Sequence, residues 1–401
     1  MNNNNNNNNN SWLLFRGNQA RSGIFPEQLT RELSLFWVIE LGPMISSAIS
    51  HNGIVYNSTI TGRIFAIDVY KKKINWQKEI GSPLVSSLLL YGNLLISCTF
   101  NSWITNTNSK SQERNFIYAL DINNEGKKKW KVQITGDIFS SPCVCNGKII
   151  VIGSLDSTIY ALDVRGNIIW TFNTGGSIWS SPATNNHQIF IGSDDCCIYS
   201  FDLNGNLNWK SMLEGKIRAT PSLMKSTNSL FIGTHNGIMY CLNQSNGSIK
   251  WKYETGKPIL SSAAISKDHI FFGCSDKKIY SLNSINGSIK WKFETGDKVW
   301  SSPVITQNNN NNNNNNDNNK NKEEGMLYVG SLDSHIYGLG IESGRLNWKF
   351  PTMDGIESSP CIVKNNLFIS SKDGLLYCFS NQQKMDNEKN SILNVPIRKC
   401  F

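Results

Sequence analysis

Self-similarity constrains this chain more than any other feature. "GSIKWKFETGDKVWSSP" runs from Gly287 to Pro303, "GSIKWKYETGKPILSSA" from Gly247 to Ala263, and "GNIIWTFNTGGSIWSSP" begins at Gly166. Marker tryptophans recur at Trp37, Trp76, Trp130, Trp170, Trp209, Trp251, Trp291 and Trp348. Where no insertion intervenes they are about 40 residues apart, the period of a propeller blade. A pair of small residues follows each Trp, from Ser46-Ser47 through Ser140-Ser141 and Thr220 to Ser358-Ser359. Next come an apolar strand ending in Gly or Ser ("IIVIGS"), an Asp or Asn turn, and a strand of the "IYALD" type. A Gly turn leads back to Trp.

Each unit reads as four short strands joined by tight turns. "IYALD" can serve both faces of a pleated sheet. Asn-Gly and Asp-Gly pairs at Asn146-Gly147, Asn236-Gly237 and Asp373-Gly374 supply the positive φ that hairpins need. Pro after Ser-Ser lacks a ladder donor, so it suits the free edge of an innermost strand. A lone sheet of this kind cannot bury both faces, so the blades must stack around an axis, with each Trp against the next blade.

Eight Ser-Ser motifs and eight "IYALD" strands are present, the last ending at Phe379-Ser380 with no Trp strand after it. The N-terminus carries an orphan Trp strand, "LSLFWVIEL". The expected fold is therefore all-β, a single eight-bladed β-propeller with four antiparallel strands per blade. Ser34 to Leu41 should close the ring as the outer strand of the eighth blade.

The expected organisation is an Asn-rich tail over 1–11, the propeller over 12–380 and a tail over 381–401. Insertions occupy 100–115 and 306–325. They join different pairs of strands and should emerge on opposite faces. Asn tracts bury no apolar surface, so they are expected to be disordered.

The net charge is +9. Its basic residues are scattered through turns and outer strands, including Lys71 to Lys73 and Lys127 to Lys129, so no nucleic-acid footprint is expected. No apolar run spans a bilayer and no signal peptide is evident. The ten cysteines share no metal-ligand spacing. The expectation is a cytoplasmic monomer that binds neither membrane nor nucleic acid, with thiols free.

The composite repeat "GxxxWxFxTGxxIxSSPxxxxxxxxxGSxDxxIYALD" resembles that of the pyrroloquinoline-quinone (PQQ)-like β-propellers, the quinoprotein alcohol dehydrogenase-like superfamily. The opening "WLLFRGNQARSG", Trp12 to Gly23, also looks like the lead-in of such propellers. The resemblance implies the fold but leaves function open, because the family spans quinone-dependent alcohol dehydrogenases, a bacterial outer-membrane assembly scaffold, and the C-terminal propeller of the β-alanine-activating enzyme (acyl-CoA synthetase family member 4). The wording "WKFET" and Ser-Ser-Pro looks most like that last group, although the 401 residues contain no adenylation or carrier domain.

Three functions follow. The first is a non-catalytic protein-binding or scaffold module. The second, implied by the resemblance, is an accessory role in acyl or amino-acid activation and fatty acid metabolism, with an adenylate-forming enzyme or carrier protein as partner. The third is a PQQ-dependent oxidoreductase. Cys196-Cys197 invites that reading, because quinone dehydrogenases carry an adjacent-cysteine disulfide against the cofactor. Here, however, the pair replaces Ser157-Thr158 of the preceding blade, and no Glu, Asn and Asp set is placed for Ca²⁺. No cofactor, metal or catalytic residue is assigned. His51, His187, His235, His269 and His335 all fall in turns or strand starts. The repeated Asp68, Asp121, Asp163 and Asp202 read as turn hydrogen-bonders.

The residues just before each Ser-Ser break the repeat: Ile45, Val85, Phe139, Trp179, Arg218, Leu260, Trp300 and Glu357. If the innermost strand starts at the channel mouth, they form one ring there, with Trp179, Arg218, Trp300 and Glu357 as candidate ligand contacts. The alternative is that the ring packs between blades, with Arg218 and Glu357 bonded to neighbouring backbone.

Overall fold

The computed structural model describes residues 11–25, 29, 33–102, 115–306 and 324–381. The Asn tracts, nearly all of the two insertions and the C-terminal tail lie outside them. Eight sheets, each built on four antiparallel blade strands, follow one another around a central axis. The third blade is representative: Cys143–Cys145 innermost, then Ile149–Gly153, Thr158–Asp163 and the outer Ile168–Asn173. Its two middle strands are buried on both faces, whereas the outer one alternates half-buried Trp170 and Phe172 with exposed neighbours. The strand Leu33–Glu40 pairs antiparallel with Leu375–Asn381 and completes the eighth blade, as the orphan Trp strand required.

The repeated letters have local physical causes. Trp Nε1 donates to a carbonyl of the next blade, as in Trp130 to Val164 at 3.0 Å, Trp170 to Leu203 at 3.1 Å and Trp348 to Leu33 at 2.8 Å. The Gly of the next blade's outer turn lies under the indole. Gly166 has φ +89°, and a Cβ there would come within 2.8 Å of Trp130. A Gly near the end of the second strand in five of the blades lets the next blade close in. A Cβ on Gly153 would lie 2.2 Å from Ile178 Cγ2. The repeated aspartates do cap turns: Asp163 accepts from Arg165 N and Asn167 N, and Asp202 from Asn204 N and Asn206 N.

The second small residue of each Ser-Ser pair joins blade to blade. Ser47 N donates to Ser87 Oγ, Ser87 N to Ser141 Oγ, Ser141 N to Ser181 Oγ and Ser181 N to Thr220 Oγ1. Thr220 N donates to Ser262 Oγ, Ser262 N to Ser302 Oγ, Ser302 N to Ser359 Oγ, and Ser359 N returns to Ser47 Oγ. The circle closes at 2.8–3.3 Å per bond.

The lead-in does something that repeat counting did not reveal: it fills the central channel. Ser11–Trp12 pairs antiparallel with the innermost strand of blade 1, and Ile24–Phe25 pairs parallel with that of blade 7. Each blade has its expected four strands, and in two of them the lead-in adds a fifth. Between these strands the segment bonds successive blades: Leu90 N to Leu13 O, Thr184 N to Gln19 O, Leu223 N to Ala20 O and Ile265 N to Ser22 O. His51, expected at a strand start, ends the inner strand of blade 1, with its Nδ1 2.9 Å from Ser11 Oγ.

Arg16 and Arg21 anchor the segment and are 2% and 0% exposed. Arg21 donates to the carbonyls of Pro182, Phe15, Ser141 and Pro142, and Arg16 to those of Arg21, Ser262 and Ala263. The Pro residues after Ser-Ser thus offer acceptors to the channel while lacking donors. Burial, reinforced by Arg21, pulls Arg16 down to about 9, so it stays charged at neutral pH. The Cys143 thiol is held below its ordinary value by a hydrogen bond from Cys145 and, against burial, by the Arg21 charge.

Two outcomes follow. Deleting residues 1–41 removes the closing strand and the channel filling together, so the remainder should melt earlier and over a broader range by calorimetry; an unchanged transition would contradict the closure. Arg21→Ala strands several buried carbonyls and should cost about 3 kcal/mol in denaturant unfolding, against roughly zero for exposed Arg165→Ala.

Candidate functional site

The strand order defines two faces. Connections from an outer strand to the next inner strand, and turns between second and third strands, lie on the mouth face. The flanks of the first insertion, Ser102 and Asn115, are on this face. Those of the second, Thr306 and Glu324, are on the other, as expected for the different strand pairs they join.

All eight residues that precede the small pairs converge at the mouth and line one cavity of about 330 Å³. They do not pack between blades. Below them the eight second-position hydroxyl residues, Ser47 through Ser359, form a lower tier. Phe15, from the channel-filling segment, joins the lining. The space is therefore a cup over a filled channel. Repeat reasoning could not find its floor, because Phe15 belongs to no repeat.

Part of the wall is aromatic. Phe139 lies 5.1 Å from Trp179, and buried Phe100, behind the lining, meets Phe139 edge-on at 6.3 Å. The Arg218 guanidinium sits 4.8 Å from the centre of the Trp179 ring. Its Nε and Nη2 engage Asp194 at 3.0 and 2.7 Å, and Lys216 adds a second cation to Asp194 at 3.6 Å. Arg218 thus bonds a side chain and not neighbouring backbone, and its bidentate geometry fixes the planar fork against the ring. Across the mouth, Trp300 Nε1 donates to Ser275 Oγ at 3.0 Å, and Lys298 stands 5.5 Å from its ring. Glu357 pairs with Lys372 at 3.3 Å. Asp194, Ser275 and Lys372 lie in the turns between second and third strands. Repeat alignment treats those turns as interchangeable, so these partners were not anticipated.

The donor set does not suit a quinone held by Ca²⁺. Among the described residues no three His, Cys, Asp or Glu side chains come together. Calcium takes six to eight oxygens, and the one carboxylate among the described residues lining the cup, Glu357, already faces a lysine. Cys196 and Cys197 sit outside the cup. Cys196 occupies the left-handed turn position (φ +67°) held by Ser157, Lys277 and Ser334 in other blades, which accounts for the pair as turn chemistry.

A family profile described as the β-propeller of the β-alanine-activating enzyme matches residues 114–319. No curated protein matches the sequence. Solved structures share the fold. BamB from Moraxella catarrhalis superposes with a TM-score of 0.67 at 16% identity, over 87% of this chain and 100% of that one. The quinohemoprotein alcohol dehydrogenase of Comamonas testosteroni gives 0.73 at 12%, over 92% and 80%. A europium-containing methanol dehydrogenase gives 0.72 at 13%, over 93% and 98%. At these identities the likeness is one of fold alone.

The lower tier of the cup can be probed without changing its shape. Thr220→Val keeps the volume but removes the acceptor for Ser181 N, a buried donor. It should cost about 1–3 kcal/mol in equilibrium unfolding, whereas Ser248→Ala in an exposed turn should change little.

Proposed function

The chain belongs to the β-propeller family of the β-alanine-activating enzyme, and from that premise we propose that it is a non-catalytic docking propeller that receives a protein partner on its mouth face. The observation that carries this reading is the cup: eight repeat-breaking residues converge at one end of a channel whose interior is filled with chain. A rigid surface with a central aromatic hollow and a rim of fixed charges matches the arrangement of anchored interfaces, where Trp, Tyr and Arg dominate affinity. Trp179, Arg218 and Trp300 are the anchors, and Glu357 with Lys372 sets charge register. None of these groups forms a nucleophile–base pair.

A second reading rests on the family match itself. The named enzyme of that family activates β-alanine, so the proposed partner is an adenylate-forming enzyme or its carrier protein, with this chain as accessory. We place the protein in the cytoplasm: the nine cysteines among the described residues are unpaired, a state that a reducing compartment maintains. No helix among the described residues is long and apolar enough to cross a membrane.

The test is comparative capture from native extract by the tagged full chain, read by quantitative mass spectrometry. Trp179→Ala combined with Trp300→Ala should release specific proteins that Tyr70→Ala combined with Ile285→Ala, on the opposite face, retains. An adenylate-forming enzyme or carrier among the released set supports the accessory role. Identical retention by both variants, or dye-linked alcohol oxidation by the purified chain with PQQ and Ca²⁺, would overturn the docking reading.

A further inference from the structure

The hydroxyl tier leaves something over. A serine or threonine hydroxyl has one hydrogen to donate and two lone pairs. Each of the eight accepts a main-chain N–H from the preceding blade. Among the described residues none of the eight donates its own hydrogen to a protein acceptor. These residues are 3–6% exposed, and all of them line the cup. The cup floor is therefore bordered by hydroxyl donors, each made more polar by the N–H it accepts. The tier has no competing carboxylate within it.

One sector adds charge. Ser181 and Thr220 lie two residues after Trp179 and Arg218 in their blades, and the two hydroxyl residues are joined by the Ser181 N to Thr220 Oγ1 bond. Asp194 takes up only the Nε and Nη2 edge of Arg218. Nη1 has no acceptor among the described residues. A guanidinium, two hydroxyls and an indole wall thus line the same sector of a hollow whose remaining walls are mostly apolar.

We infer that the cup binds a carboxylate carried on an apolar body, with the carboxylate on Thr220, Ser181 and Arg218 and the body against Phe139, Trp179 and Trp300. The inference rests on the docking reading only in sharing its site. Such a group has two sources, a free organic acid or the chain end of a partner. Hydroxyl and guanidinium donors favour an anion over a neutral amide, because charge-assisted hydrogen bonds are the stronger kind. A cavity of about 330 Å³ accommodates a phenyl or branched aliphatic body.

The experiment is calorimetric titration of the purified full chain with 3-phenylpropionate, 3-phenylpropionamide, N-acetylphenylalanine and N-acetylphenylalaninamide. Both acids should bind, each about tenfold or more tighter than its amide. Preference for 3-phenylpropionate points to a free acid, and preference for N-acetylphenylalanine to a chain end. Thr220→Val should weaken acid binding while leaving amide binding unchanged. Arg218→Gln, at a partly exposed position on the mouth face, supplies the same contrast should Thr220→Val unfold. Equal affinity for acid and amide, no heat from either acid up to about 10 mM, or an unaltered acid preference in Arg218→Gln would overturn the inference. Because this titration uses no protein partner, its failure leaves the capture result standing, and the reverse also holds.

Discussion

The hydrogen bond from the main chain of one blade to a hydroxyl of the next, repeated until it returns to its start, is the interaction on which the rest of the molecule depends. A four-stranded blade has two apolar faces and no way to cover both. Stacking covers them, but an open stack has two raw ends. In a closed circle every blade has a neighbour on each side, and the link from Ser359 N to Ser47 Oγ is of the same kind as the others. Each bond contributes only about 1 kcal/mol. The larger effect is geometric. Only a short side chain fits where eight strands begin around one axis, and its hydroxyl fixes the angle between blades. The indole and glycine contacts further out then meet in register.

The channel is the second consequence. Eight innermost strands leave an axial space lined with backbone, including the unpaired carbonyls of Pro142 and Pro182. The lead-in supplies matching donors. Two buried guanidiniums without a carboxylate partner would be costly, but each is surrounded by carbonyl oxygens, and Arg21 also has the Cys143 thiol beside it. With the axis filled, the molecule is a solid disc with a hollow at one end. A solid disc suits holding a partner or a small group in one orientation.

Much of the fold was legible in the sequence because the repeat reports interblade contacts directly. Trp and the second hydroxyl residue recur in all eight blades, and the turn Gly and the strand-ending Gly in most of them, because each touches the next blade. The closing strand was legible because one Trp strand was left over at the start. The ring from Ile45 to Glu357 was legible for the opposite reason: its residues vary at a position where the rest of the unit is constant. What stayed hidden was the chemistry of single-copy residues. Arg16 and Arg21 read as ordinary basic residues, since nothing local says that they thread an axis. Phe15 gave no periodic signal. Asp194, the fixed partner of Arg218, looked like one more turn aspartate. The hydroxyl circle hid within a motif legible only as a pair of small residues.

The central claim is that eight equivalent links form one cooperative circle. Native-state hydrogen exchange at the amides of Ser47, Ser87, Ser141, Ser181, Thr220, Ser262, Ser302 and Ser359 tests it most directly. All eight should exchange only through global unfolding, with a common free energy and a common denaturant dependence. If one subset exchanged through a partial opening while the others stayed protected, the blades would be separate units resting against one another, and the account of a single closed ring would fail.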